Sequence, residues 1–315
     1  MKKNLRNVLV LALGLTTTIA SAQWSADSRT RIDNSNDDNR SAEQRITVGA
    51  DWGGIHASAD LNYDVDGGEA THSIYEAYAS TNFMGLDMTM GRRDLSYGSG
   101  YLMSSNDWGM KRYTNDGIEI STSVSGFSIN AGTLDGVDMD NNYMNLSGGF
   151  GDATVNILMM NSGDNSAHGY DLGYTLMGGA LTINASMNSD YDENEMTSYG
   201  LSYSGFGGFT LSASQTTYDG AFHMENTAMH DGWENGSIGY LNAGDQDMTI
   251  GISGSFSGVT LGYEMHTISN DAAAEDREAN KLSLGYSLND NASLGIDRFQ
   301  DGDDEWTYIT ISVGL

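Results

Sequence analysis

Four arginines near the N-terminal end of an acidic chain are the side chains best placed to act on a solute. Arg29, Arg31, Arg45 and Arg93 fall on the polar side of alternating segments, in which residues two apart share a face. Charges lining an enclosed path tune what passes along it, and a set of guanidiniums favours anions or acidic sugars. Asp27, Asp33, Asp51, Glu76 and Asp87 lie on the same faces. Two readings therefore stand together: a salt-bridge network that stiffens a wall, and a ladder that guides solutes. A first hairpin symmetric about Asp38 would set Arg31 opposite Arg45, and like charges in opposition cost energy unless acids or bound anions offset them. Arg92 shares its face with Leu86, Met88 and Met90. That conflict predicts a bulge near Gly91 or a place close to a membrane interface.

Two long segments add candidates. Segment 96–115 can fold inward, bringing Asp107, Trp108, Lys111 and Arg112 to face the wall arginines; the alternative is an ordinary external loop. Segment 219–247 carries His223, His230 and Trp233 and reads as a lid or an exposed surface. The pore-lining set expected is Arg29, Arg31, Arg45, Glu76, Arg93, Asp107, Lys111 and Arg112. Asp190-x-Asp192-x-Asn194 begins like a calcium loop but lacks the glycine and the closing glutamate. No built metal site and no cofactor is expected, beyond Ca²⁺ or Mg²⁺ held loosely at acidic loops. The six histidines are scattered, with no His-x-x-x-His or Gly-x-Ser-x-Gly motif. No enzyme is expected; the alternative is a His–Ser or Asp–His site assembled from separate strands.

The elements that would position these residues are strands. Trp24, Ala26, Ser28, Thr30 and Ile32 alternate with Asp27, Arg29, Arg31 and Asp33, and the period of two continues along the chain. It yields 18 candidate strands, with 16 as the smaller alternative. Their connections alternate between two kinds. One is tiny, built on Gly or Asn beside an aromatic, as in Phe83-Met84-Gly85 and Phe256-Ser257-Gly258. The other is longer and acidic, as at 96–115, 136–142 and 219–247. Short turns at one end and long loops at the other describe a transmembrane antiparallel up-and-down β-barrel. No stretch reaches the roughly 18 apolar residues of a spanning helix. Residues 1–22 read as a signal peptide, with Lys2, Lys3 and Arg6 before the apolar run Val8 to Leu15 and Ala20-Ser21-Ala22 at the cleavage site. The barrel would occupy residues 23–315.

The chain has 43 acidic and 14 basic residues, and none of the basic ones lies between Tyr113 and Asp276. Nucleic acid, which needs clustered basic residues, is excluded as an expected partner. Cysteine is absent, so disulfides and thiolate chemistry are too. Proline is also absent, as suits strands paired on both edges.

Two stretches resemble known proteins. Thr307 to Leu315 is similar to the C-terminal strand of outer-membrane barrels, with Ile309, Ile311, Val313 and Leu315 alternating and Leu in place of the usual Phe. That resemblance implies the barrel assembly machinery as a partner. Tyr75-Glu76-Ala77-Tyr78, Gly91-Arg92-Arg93, Tyr97-Gly98-Ser99-Gly100, Ser105-Asn106-Asp107-Trp108 and Asp116-Gly117 resemble porins related to the alginate-export group. Arg93 stands where that group commonly has Gln, and the likeness covers residues 24–117. The expectation is an outer-membrane porin for passive diffusion of small hydrophilic solutes or ions, working as a monomer or a trimer. Its partners would be outer-membrane lipid and lipopolysaccharide. The alternative is a non-conducting structural or adhesive barrel with acidic, cation-binding surface loops.

Overall fold

The computed structural model describes residues 23–34, 40–106, 109–110 and 112–314. The expected signal peptide, Asp38, Asp107, Trp108, Lys111 and Leu315 lie outside the described residues. Eighteen strands follow one another: β1 (Gln23–Asp33), β2 (Ser41–Trp52), β3 (Ile55–Asp64), β4 (Ala70–Phe83), β5 (Leu86–Arg93), β6 (Asn115–Val124), β7 (Phe127–Thr133), β8 (Asn141–Phe150), β9 (Ala153–Ser162), β10 (Asn165–Leu176), β11 (Leu181–Ser189), β12 (Glu195–Phe206), β13 (Phe209–Asp219), β14 (Gln246–Phe256), β15 (Val259–Ser269), β16 (Arg277–Asn289), β17 (Ala292–Asp301) and β18 (Asp304–Gly314). Each pairs antiparallel with its neighbours in sequence. The sheet then closes on itself through β1 and β18, from Asp27 opposite Gly314 to Asp33 opposite Tyr308. Closure leaves no open edge, the condition for a sheet to survive in lipid.

The alternation of the sequence becomes the two faces of this wall. Outward positions are apolar and exposed, among them Val48, Ile74, Met90, Leu172, Leu201, Ile250 and Leu284. A contiguous apolar outer belt belongs against lipid rather than water. Phe83, Phe150, Phe206 and Phe256 stand exposed beside the tight turns, where aromatic rings settle at the membrane–water boundary. The turns follow from backbone sterics. Met84-Gly85, Ser125-Gly126 and Ser257-Gly258 each take positive φ at both positions (54° and 84°, 51° and 86°, 52° and 81°). This is the type I′ geometry that matches the twist of a two-residue hairpin.

Three details differ from the expectation. The first hairpin is offset by two residues, so Arg29 faces Arg45 and Arg31 faces Glu43. The bulge lies not at Gly91 but on the neighbouring strand, where Tyr75 and Glu76 of β4 together oppose Ser58. Pairing of β4 with β5 runs unbroken through Tyr78 and Gly91. Gly91 takes φ +134°, and a Cβ there would sit 2.1 Å from the Ala77 carbonyl oxygen. Lastly, β10 and β16 begin before their alternation does and shorten the loops ahead of them, because the hydrogen-bonded ladder continues above the apolar belt where side-chain polarity is unconstrained.

Candidate functional site

The lumen is shaped by two loops that leave the long-loop end and fold inward. Loop 94–114 departs from β5 and crosses to the far wall. There the Ser99 amide donates to Asp171 Oδ2 on β10 at 3.0 Å, while at the start of the loop the Tyr97 hydroxyl donates to Glu119 Oε2 on β6, the strand paired with β5, at 2.6 Å. Leu102 and Met103, at the tip, are buried. The returning limb is fastened to the near wall. Arg45 Nη1 donates to the Gly109 carbonyl oxygen at 2.7 Å. Arg112 pairs with Asp60, donates to Thr47 Oγ1 at 2.8 Å, and lies over the Tyr75 ring with Cζ 3.3 Å from its centroid.

Loop 220–245 enters beside it. Phe222, Met224 and Leu241 pack with Leu102 and Met103 against Tyr143, Leu158, Met160, Met196, Tyr218 and Ile268 of the wall. Each such side chain contributes about 1.5–3 kcal/mol on burial, which holds the loops far more firmly than their polar contacts alone. Those contacts set position. Arg31 Nη1 donates to the Glu234 carbonyl oxygen at 2.8 Å, Lys281 Nζ to that of Gly236 at 2.6 Å, and Trp233 Nε1 to Asp301 Oδ2 at 3.1 Å. The two loops are also tied together. The Ala228 amide donates to Ser104 Oγ at 2.9 Å, the Tyr240 hydroxyl to the Tyr101 carbonyl oxygen at 2.5 Å, and the Tyr113 hydroxyl to Asp231 Oδ2 at 2.5 Å. Burial and the Asp231 carboxylate hold the Tyr113 hydroxyl above the ordinary phenol range.

The result is an eccentric interior. On the β8–β16 side the upper lumen is filled with apolar side chains. On the β18–β4 side a polar cavity of about 690 Å³ remains, lined among others by Arg31, Glu43, Asp60, Asn62, Arg92, Arg112, Asp231 and Glu234. Below the loops, toward the tight turns, the inward positions are small and polar: Ser147, Thr154, Gly173, Asn184, Gly251 and Ser283. Such a lining leaves room for water.

The expected site residues divide within this frame. Arg31 reaches the cavity, 3.6 Å from Glu43 and 4.7 Å over the Tyr308 ring. Arg45 is 2% exposed and joins wall to loop; Arg29, directly across the hairpin, adds to the charge it feels, while Asp60 and Asp27 oppose that charge. Arg93 Nη1 donates to Glu119 Oε1 at 2.8 Å in a buried pair, and the same carboxylate accepts from Tyr97 and Tyr143. Glu76 lies 3.5 Å from His56 and accepts from the Asp94 amide at 3.3 Å. Arg112 is a staple whose charge Asp60 meets. Arg92 sits at the outer end of β5, with Nε and Nη2 on the two oxygens of Asp116 at 3.1 and 2.7 Å, so its charge is met near the interface.

Asp190 accepts hydrogen bonds from the amides of Asp192, Asn194 and His223 and from the Asn194 side chain. These donors make the Asp190 carboxylate a loop anchor. Among the histidines, His266 meets Asp247 at Nδ1 (2.7 Å) and Glu264 at Nε2 (2.9 Å), with the Thr249 hydroxyl 3.1 Å from Nδ1. The apolar plug was not anticipated. Its signal was present in Ile157-Leu158-Met159-Met160, where both faces of β9 turn apolar near its outer end and alternation fails.

No protein-family model matches the chain, and no curated protein matches it. Solved structures do match over nearly its whole length. OccK8 (OprE) of Pseudomonas aeruginosa is 14% identical with a TM-score of 0.71, covering 94% of this chain and 98% of that one. OpdK of the same organism, solved with vanillate, is 13% identical with a TM-score of 0.72 and the same coverage. OccK2 (OpdF) of that organism, in complex with glucuronate, is 14% identical with a TM-score of 0.71, covering 94% of this chain and 96% of that one. At such identities the likeness is one of fold: a closed 18-stranded antiparallel barrel.

Proposed function

We propose that the chain is an outer-membrane porin, a channel through which small hydrophilic solutes diffuse passively. The observation that carries this reading is the water-accessible polar cavity held open inside a closed barrel whose outside is apolar. An adhesive or purely structural barrel has no use for an interior half filled and half left polar. Fold neighbours solved with vanillate and glucuronate support a channel for small solutes. Planar-bilayer recording tests it: discrete, stable conductance steps are expected, and silence from well-folded protein would overturn it in favour of the non-conducting barrel.

Vanillate and glucuronate are carboxylates, yet the cavity of this chain is acidic. Asp33, Glu43, Asp60, Asp64, Glu69, Asp231 and Glu234 line it against Arg31, Arg92 and Arg112 among the described residues. Charge of one sign in a narrow path raises the local concentration of the other. Cations and cationic or zwitterionic solutes are therefore favoured over anions. The likeness of residues 24–117 to porins related to the alginate-export group is compatible with this reading, and its support remains the motif residues themselves. Insertion by the barrel assembly machinery, and diffuse Mg²⁺ or Ca²⁺ bridging of the outer acidic loops to lipopolysaccharide, belong to the same proposal.

A further inference from the structure

Loop 220–245 carries a second constellation on the side turned away from the plug. His223, Glu225 and His230 are exposed, and one ligand atom from each falls within 4.8 Å of the others. His230 Nδ1 is 3.2 Å from His223 Nε2, and His223 Nε2 is 3.6 Å from Glu225 Oε1. Donors bound to one tetrahedral ion at about 2.0–2.1 Å stand roughly 3.3–3.4 Å apart. Two of the three separations thus already lie near those that a single small cation imposes, and the third is within 4.8 Å.

The backbone that presents them is fixed from beneath. Phe222 and Met224 are buried at 1% and 5%, so alternation forces His223 and Glu225 outward. The His223 amide is held by the buried Asp190 carboxylate at 3.0 Å. The His230 amide donates to the Thr227 carbonyl oxygen at 3.2 Å, and the fully buried Thr227 bonds the Tyr240 hydroxyl at 2.8 Å. The Tyr240 ring packs edge-on against His223, centroids 5.4 Å apart. These contacts orient the ligands before any ion arrives, as outer-shell partners do at metal sites.

We propose that His223, Glu225 and His230 form a binding site for one divalent transition-metal ion on the exposed side of the loop that narrows the barrel mouth. Two imidazoles with one carboxylate select a borderline ion such as Zn²⁺, Ni²⁺ or Cu²⁺ over Ca²⁺ or Mg²⁺, which prefer all-oxygen shells. The ion joins the two limbs of the turn between residues 223 and 230. It thereby stiffens the segment whose next residue, Asp231, lines the cavity and takes the Tyr113 hydrogen bond. The site stands on its own geometry and does not depend on the barrel being a channel.

The test uses the tag-free, chelator-stripped protein in detergent, titrated with ZnCl₂ in a calorimeter and with CoCl₂ under visible absorption. One Zn²⁺ per chain is expected, with tetrahedral Co²⁺ bands in the visible spectrum. His223→Ala and His230→Ala should each weaken Zn²⁺ binding by tenfold or more, while His72→Ala, on β4, leaves it intact. Glu225→Gln should weaken binding by less and keep the cobalt bands. Absence of saturable one-to-one binding, wild-type affinity in both histidine variants, or equal affinity for Ca²⁺ would each overturn the site. The wild-type Co²⁺ spectrum decides by itself whether nitrogen and oxygen donors hold the ion in a tetrahedron, so the result does not depend on how the variants fold.

Discussion

The Arg45 guanidinium and the Gly109 carbonyl oxygen lie 64 residues apart in sequence and 2.7 Å apart in space. This bond fastens the returning limb of the inward loop to the second strand of the wall. A buried hydrogen bond from a charged donor contributes about 1.5–3 kcal/mol. Arg45→Met should raise the undocked population of the limb on the order of ten- to a hundredfold. Single-channel recording reads this as more frequent excursions to larger conductance, and an unchanged trace would leave the limb to Arg112 alone.

The Arg93–Glu119 pair is buried and shared with two tyrosine hydroxyls. Glu119→Gln leaves the guanidinium without its counter-charge, a change that costs about 3–5 kcal/mol at buried pairs. Replacing both, as Arg93→Met with Glu119→Leu, should recover part of that loss but not all, since Tyr97 and Tyr143 still lose their acceptor. Urea unfolding followed by tryptophan fluorescence ranks the three proteins.

Phe222 separates loop stability from barrel stability. Phe222→Ala removes about 3–5 kcal/mol of packing from the plug, while the wall ladder is untouched. The barrel should keep its resistance to unfolding, whereas residues 220–245 become cleavable by protease added from outside. Loss of both together would mean that loop and wall unfold as one unit.

Selectivity should follow the acids of the cavity. Glu43→Gln combined with Glu234→Gln removes two negative charges from its lining and should move the reversal potential in a salt gradient toward the anion side. The difference should shrink at 1 M salt, where the screening length is about 3 Å. A double variant with wild-type selectivity would place control elsewhere in the lumen.

Alkaline pH offers a reversible probe of the loop–loop tie. Tyr113 has its hydroxyl held above the ordinary range by burial and by Asp231, so its hydrogen bond is fully present below the unfolded value of about 10. The contribution is lost as pH rises beyond that toward the folded value. Protease protection of 220–245 should be level from neutral pH to about 10 and decline above it, and Tyr113→Phe should make that decline shallower, the rest belonging to Tyr240.

The barrel was legible in the sequence because lipid imposes a strict rule on every strand. Outward positions must be apolar, inward ones need not be, and Gly-bearing turns such as Ser125-Gly126 punctuate the pattern. The site was less legible, since the rule says nothing about which charges meet. Register along the first hairpin depended on residues of its loop, and an error of two exchanged Arg29 for Arg31 as the partner of Arg45. Arg112 and Asp60, or Phe222 and Leu158, come together only through inserted loops, which period-two patterning does not describe. The local failure of alternation at Leu158 and Met160 marked where such a loop must land.

The seam between β1 and β18 joins Asp27 to Gly314, whereas all other pairings join strands consecutive in sequence. An emerging chain can therefore zip seventeen hairpin contacts in order and still present two raw edges until its final segment is made. Loop-closure entropy makes that last contact the slowest to find, and unpaired edges recruit wrong partners while they wait. For this protein the hazardous moment of folding comes at the very end, when an almost complete sheet must meet its own beginning before it meets another copy.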